Sequence, residues 1–461
     1  MHHATANEFE TAETAETAET SPLTTSLSEL LGAFSYALDL TEGQPPGHSL
    51  RSCWIASRMA QTLGLSAADR RTVYYATLLK DLGCSSNAAR VAELYLADDR
   101  VFKYDFKLVG QGLGPTLGFV FKRTGVKSPF TLRARAIARI VGDGNRIATD
   151  LIQTRCTRGA NIARQLRFSE SVALTIAALD EHWDGHGKPD GATGHAIPLA
   201  ARLALLAQIV DVFQNAEGPD AARAEVATRR GTWFDPELVD VFMHLSNAPQ
   251  FWLDLNDPDL ELRIHALEPE EHREQVDESY LDAIADAFGA VIDAKSPYTG
   301  GHSNRVGSYA TALGQTLGFS GSALRNLRRA AVLHDVGKLG VSSRILEKPD
   351  KLDDEEWVEM RGHASHTIAI LSRIGPLRDM AGIAGAHHER LDGKGYPLGL
   401  EASRIAPEAR IISVADFYDA LTADRPYRGA MPVEKALAIM EGEVGKAIDG
   451  TCFEALRELV S

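Results

Sequence analysis

Seven residues between positions 302 and 416 stand out as candidate metal ligands: His302, the pair His334-Asp335, His363, the pair His387-His388, and Asp416. Imidazole nitrogen and carboxylate oxygen suit iron, manganese or zinc, and one carboxylate can bridge two ions. Two ions so held clamp the attacking and leaving oxygens of a phosphoryl displacement. The chemistry expected is therefore metal-assisted phosphodiester hydrolysis. Lys338 follows Asp335 by three positions, where a cation can pair with a phosphate oxygen or help protonate a leaving alkoxide. Gly393, Gly395 and Pro397 predict a tight loop in which backbone approaches a ligand, with Tyr396 presented to it. Arg425 and Arg428 flank Pro426-Tyr427, and their guanidinium groups match phosphate or a guanine edge.

These groups need a scaffold, and the scaffold reads as helical. Leu281, Ile284, Phe288 and Val291 recur at three- and four-residue steps, which marks one helix face. Leu324, Leu327 and Ala331 continue such a pattern into His334-Asp335, placing that pair late in a buried helix. Residues 411–421 are apolar, with Asp416 and Asp419 three apart on one face. No strand-and-turn series is present, so the expected fold class is all-α.

The chain is internally duplicated. Gln61-Thr62-Leu63-Gly64-Leu65-Ser66 returns 254 residues later as Gln315-Thr316-Leu317-Gly318-Phe319-Ser320. At that offset Gly47-His48-Ser49 matches Gly301-His302-Ser303, and Phe34 matches Phe288. Further on the offset becomes 208: Glu181, Asp184-Gly185 and Pro189 match Glu389, Asp392-Gly393 and Pro397. The change from 254 to 208 gives the first copy 46 extra residues between Cys84 and Glu181. The expected division is a disordered tail over 1–25, where Thr-Ala-Glu repeats, a first copy over 26–250, a linker over 251–275 and a second copy over 276–461.

A net charge of −15 over 461 residues argues against a broad nucleic-acid or membrane surface but leaves room for a small anion in a local basic pocket. Four widely spaced cysteines and the lack of a long apolar run predict a cytoplasmic protein.

From about Asp277 onward the strings His334-Asp335-Val336-Gly337-Lys338 and His387-His388-Glu389-Arg390-Leu391-Asp392-Gly393-Lys394-Gly395-Tyr396-Pro397 resemble the HD-GYP family of cyclic di-GMP phosphodiesterases. The resemblance implies tandem HD-type bundles, the first degenerate. It implies one metal on His302, His334, Asp335 and Asp416, with Asp335 bridging to a second on His363, His387 and His388. The two divalent ions would be iron or manganese. Catalytic roles fall to Asp335 and Lys338, and substrate contacts to Gly395, Tyr396, Arg425 and Arg428. The implied substrate is cyclic di-GMP, with pGpG as the first product and a second step to GMP left open. A signalling partner at the loop around Tyr396 and a homodimer through the first copy are also expected. Family members that hold a third metal carry a carboxylate where this chain has Tyr298, so two metals are expected.

The first copy has lost this chemistry. His48 and Asp81 remain, but Lys80, Leu179, Asp180 and Gln208 replace the counterparts of His334, His387, His388 and Asp416, and Cys156 is the expected counterpart of His363. An ammonium at a former metal position repels a cation, so this copy is read as regulatory.

Overall fold

A computed structural model describes residues 26–110, 112–269, 276–297, 299–424 and 429–461. The expected tail, Tyr298, Arg425 and Arg428 lie outside the described residues. The architecture is all-α, with no strand among the described residues beyond isolated bridges. No described helix is long and apolar enough to cross a membrane.

The duplication in sequence is a duplication in structure. Helices Leu27–Thr41, His48–Thr62 and Ala67–Leu78 precede a 3-10 turn at Cys84–Asn87. Helices Glu278–Asp293, His302–Thr316 and Gly321–Leu333 precede a 3-10 turn at Val336–Gly340. The repeated Gln-Thr-Leu-Gly string ends the second helix of each set. Gly64 and Gly318 sit there at φ 66° and 88°, a left-handed conformation that glycine adopts without strain. The next amides, of Leu65 and Phe319, close onto Ala60 O and Gly314 O at 3.1 and 2.8 Å, satisfying helix-end carbonyls. Helix starts are capped in the same local way. Asp277 accepts the Tyr280 amide at 2.7 Å, and Asp353 and Glu356 form a reciprocal capping box.

The first copy's extra length forms helices Asp99–Lys107 and Leu113–Arg123 and extends Phe130–Gln165 to 36 residues. In its described part, 251–269, the stretch expected as a linker is largely helical. It carries helices Pro249–Leu255 and Leu260–His265, which bury Phe251, Leu255 and Ile264 against the first copy. Apolar side chains of both copies form one continuous core. Tyr280 Oη donates across it to Leu166 O at 2.7 Å.

Candidate metal centre

The His-Asp pair lies just past its helix rather than within it. Gly321–Leu333 ends with His334 as its cap, and Asp335 opens the 3-10 turn Val336–Gly340. Thr367 fastens this turn to helix Asp354–Leu371: its hydroxyl donates to His334 O at 2.9 Å and accepts the Gly337 amide at 3.0 Å. Lys338 therefore reaches Asp335 across a 3-10 turn, Nζ to Oδ2 at 2.5 Å.

All seven ligand-type residues converge. Asp335 Oδ2 faces His302 Nε2 at 3.5 Å and His334 Nε2 at 3.2 Å. Its other oxygen, Oδ1, faces His363 Nε2 at 3.5 Å and His387 Nε2 at 3.7 Å. Asp416 Oδ1 closes the first side at 3.5 Å from His302 Nε2, and His388 joins His363 and His387 on the other. One buried carboxylate thus presents an oxygen to each of two imidazole sets.

The far ring nitrogens fix which nitrogen faces inward. Nδ1 of His334, His363 and His387 lies 2.7, 2.6 and 2.6 Å from the carbonyls of Ala331, Met360 and Ala384. His302 Nδ1 instead meets Asp419 Oδ2 at 2.7 Å, and Arg305 holds the same carboxylate at 2.6 Å. Such partners place a proton on Nδ1 and turn Nε2 toward the centre. Burial pushes His363 down to about 4 and His387 to about 3, so both are neutral near pH 7. For Asp335, burial opposes ionisation, but His334 and Lys338 outweigh it and hold the carboxyl well below its usual range.

The donor set fits a pair of divalent metals. His302 Nε2, His334 Nε2 and Asp335 Oδ1 are buried without a hydrogen-bond partner. Orphaned buried polar atoms are destabilising unless something shares their lone pairs, and mixed imidazole and carboxylate donors suit transition-metal cations.

A cavity of about 480 Å³ opens on this cluster, lined by Lys338, Lys348, Lys351, Trp357 and Tyr396 among others. Tyr396 lies 4.8 Å from His388 between ring centroids. The close approach at Gly395 is by the chain itself: a Cβ there would sit 2.4 Å from the Arg390 amide and 2.6 Å from His388 O. Glu389, 3% exposed, ties the loop down by accepting the amides of Leu398 and Leu400 at 2.7 and 2.8 Å.

The corresponding place in the first copy is filled by charge pairs. Lys80 Nζ bonds Asp81, both nearly fully buried. Lys103 and Lys107, from the extra helix Asp99–Lys107, reach Glu42 at 3.2 and 2.9 Å. Glu42, Asp81 and Cys84 lie close enough together to share a cation, but these ammonium groups already neutralise the two carboxylates. The expected pairing of Cys156 with His363 needs correction. A Cβ on Gly83 would strike Arg155 O, and one on Gly337 would strike His363 O, each at 1.9 Å. Arg155 is therefore the positional equivalent, and it pairs with Asp180.

A family model described as HD domain matches residues 145–238 and 287–452. The chain is 49% identical over 438 residues to the 3'3'-cGAMP-specific phosphodiesterase 3 of Vibrio cholerae, covering 95% of each. It is 35% identical over 184 residues to a cyclic di-GMP phosphodiesterase of Thermotoga maritima, which covers 40% of this chain and 50% of that protein. The crystal structure of a cyclic GMP-AMP-specific phosphodiesterase of V. cholerae superposes with a TM-score of 0.64 at 45% identity, covering 94% of this chain and 97% of the other. The chain belongs to the HD-domain family, as a tandem HD-GYP protein whose second copy keeps the full set of ligand-type residues and whose first copy is degenerate.

Proposed function

We propose that this chain is a metal-dependent phosphodiesterase that opens a cyclic dinucleotide to its linear form, with 3'3'-cGAMP as preferred substrate. The observation that carries the reaction type is Asp335 presenting one oxygen to His302 and His334 and the other to His363 and His387. In this reading His302, His334, Asp335 and Asp416 hold one divalent ion, and Asp335, His363, His387 and His388 the other. Iron or manganese suits these donors. Such ions, when bound, supply positive charge to the phosphodiester and acidify water.

The chain's own groups do the rest. Asp419 holds the proton at His302 Nδ1. The Lys338 ammonium donates to a phosphate oxygen or to the departing ribose oxygen. Tyr396 and Trp357 offer ring faces to the bases, and Arg425 and Arg428 are assigned to substrate contact. Lys338, Lys348 and Lys351 line the cavity of this strongly acidic chain and offer ammonium groups to a dianionic ligand.

The preference for 3'3'-cGAMP rests on similarity across both copies to a cGAMP-specific enzyme, whereas the T. maritima cyclic di-GMP phosphodiesterase matches only 40% of this chain. Cyclic di-GMP, opened to pGpG and then GMP, is the second reading, supported by that similarity. The test is kcat/KM for both ligands with purified, metal-loaded full-length chain. A higher value for 3'3'-cGAMP is expected. A higher value for cyclic di-GMP favours the second reading, and tight binding without turnover of either identifies a receptor.

A further inference from the structure

The helix Asp99–Lys107 lies in the stretch by which the first copy is longer, yet its first two residues hold the second copy. Asp99 is fully buried, and its Oδ1 accepts the Ser343 amide at 2.7 Å. Its Oδ2 lies 3.7 Å from the ammonium of Lys295, which is 1% exposed and donates to Leu339 O at 2.9 Å. The Arg100 guanidinium donates to Gly340 O and, at 2.6 Å, to Glu359 Oε1. That same Glu359 oxygen accepts the Ser342 amide at 2.9 Å. Backbone groups of residues 339, 340, 342 and 343 are thus each tied to a side chain that belongs to or touches the first copy's extra helix.

The tied segment begins one residue after Lys338 and runs into Ile345–Leu352, which forms a wall of the cavity. Burying Asp99 and Lys295 is a poor way to gain stability, because apolar residues of similar volume would serve as well or better. Charges that converge on backbone beside a pocket do set geometry.

We propose that Asp99 and Arg100 are positioning residues for the catalytic pocket, supplied by the copy that has lost its own chemistry. They fix the 339–343 backbone, and through it the place of Lys338 and of the cavity wall. The degenerate copy is then a structural part of the site and not only an attached module.

This inference rests on the phosphodiesterase reading for its kinetic arm and is independent of it in its exchange arm. In the full-length chain, Asp99→Asn and Arg100→Ala should speed amide hydrogen exchange across 339–352 and leave helix His302–Thr316 unchanged. Metal content should stay at the wild-type level while kcat falls about tenfold, as expected when a group aimed at the transition state is misplaced. Arg100→Lys should recover part of the loss. In a Lys338→Ala background the same substitutions should lower the residual rate much less, since the group they position is gone. Unchanged exchange across 339–352 overturns the proposal, as do losses that multiply in full on the Lys338→Ala background. A wild-type chain without turnover would remove the functional reading, and the exchange comparison would still decide the positioning claim.

Discussion

Phe34 and Phe288, which occupy the same position in the two copies, stack on each other with ring centroids 3.7 Å apart and planes 16° from parallel. The contacts around them are reciprocal. Helix Leu27–Thr41 packs on the turn Val336–Gly340 and on Asp354–Leu371. Helix Glu278–Asp293 packs in return on Cys84–Asn87 and on Phe130–Gln165. The two copies meet as an isologous dimer does, about a pseudo-two-fold axis, inside one chain.

A shared core predicts shared unfolding. Phe34→Ala, in the degenerate copy, should destabilise the whole chain by about 3–5 kcal/mol, the usual range for a buried Phe→Ala. Calorimetry should show a single transition shifted down, with the catalytic copy lost in step. Two separate transitions, only the first of them moved, would mean that the copies are energetically independent.

Asp335→Ala should release metal and abolish turnover while the far-ultraviolet helical signal persists. Its two carboxylate oxygens face the two imidazole sets, one each, so both ions should be lost together. Elemental analysis of the variant checks this. Retention of wild-type metal with activity would remove Asp335 from the centre.

Asp419→Asn is the sharper test of geometry, since Asp419 itself faces no second imidazole set. An amide is a weaker acceptor for the His302 Nδ1 proton and for Arg305. Metal affinity should fall about 10- to 100-fold, the effect typical of losing a ligand's outer partner. Competition with a chelator measures it, and an unchanged affinity would show that His302 needs no such support.

Lys338→Ala should keep both metals and lower kcat, because the proposed role of its ammonium is to meet the phosphate and not to ligate metal. Arg425→Ala and Arg428→Ala should chiefly raise KM. Loss of metal from the Lys338 variant, or unaltered ligand binding by both arginine variants, would reverse these assignments.

His48, the counterpart of His302, keeps the same partner, with Nδ1 2.7 Å from Asp211 Oδ2. Burial and then Lys80 push it from the ordinary 6.5 down to about 4. The unfolded chain therefore takes up a proton that the folded chain refuses, and stability falls as pH drops from 6.5 toward 4. The difference amounts to about 3 kcal/mol at most. His48→Gln should flatten the loss of melting temperature between pH 7 and pH 4.5. An equally steep loss in the variant would place the acid sensitivity elsewhere.

Much of this was legible in sequence because it is local. The His-Asp and His-His strings, the helical steps through Leu281–Val291 and the repeated Gln-Thr-Leu-Gly at two helix ends all depend on neighbours in the chain. What escaped is tertiary. Asp419 reads as one more acid on a helix face until His302 is brought 2.7 Å from it. Thr367 carries no signal until its hydroxyl meets His334 O and the Gly337 amide. The match of Cys156 to His363 was one residue out, because no local string marks where the long helix Phe130–Gln165 returns to the 208-residue offset. Phe34 and Phe288 read as two separate inward faces. Nothing in either string shows that each is the other's neighbour.

The most direct test of the central claim is product analysis of 3'3'-cGAMP incubated with the purified full-length chain, before and after chelation and after return of manganese or ferrous iron. The account predicts a linear dinucleotide, lost on chelation and restored with the metal. Bound ligand that stays cyclic while the chain carries its metal would contradict it.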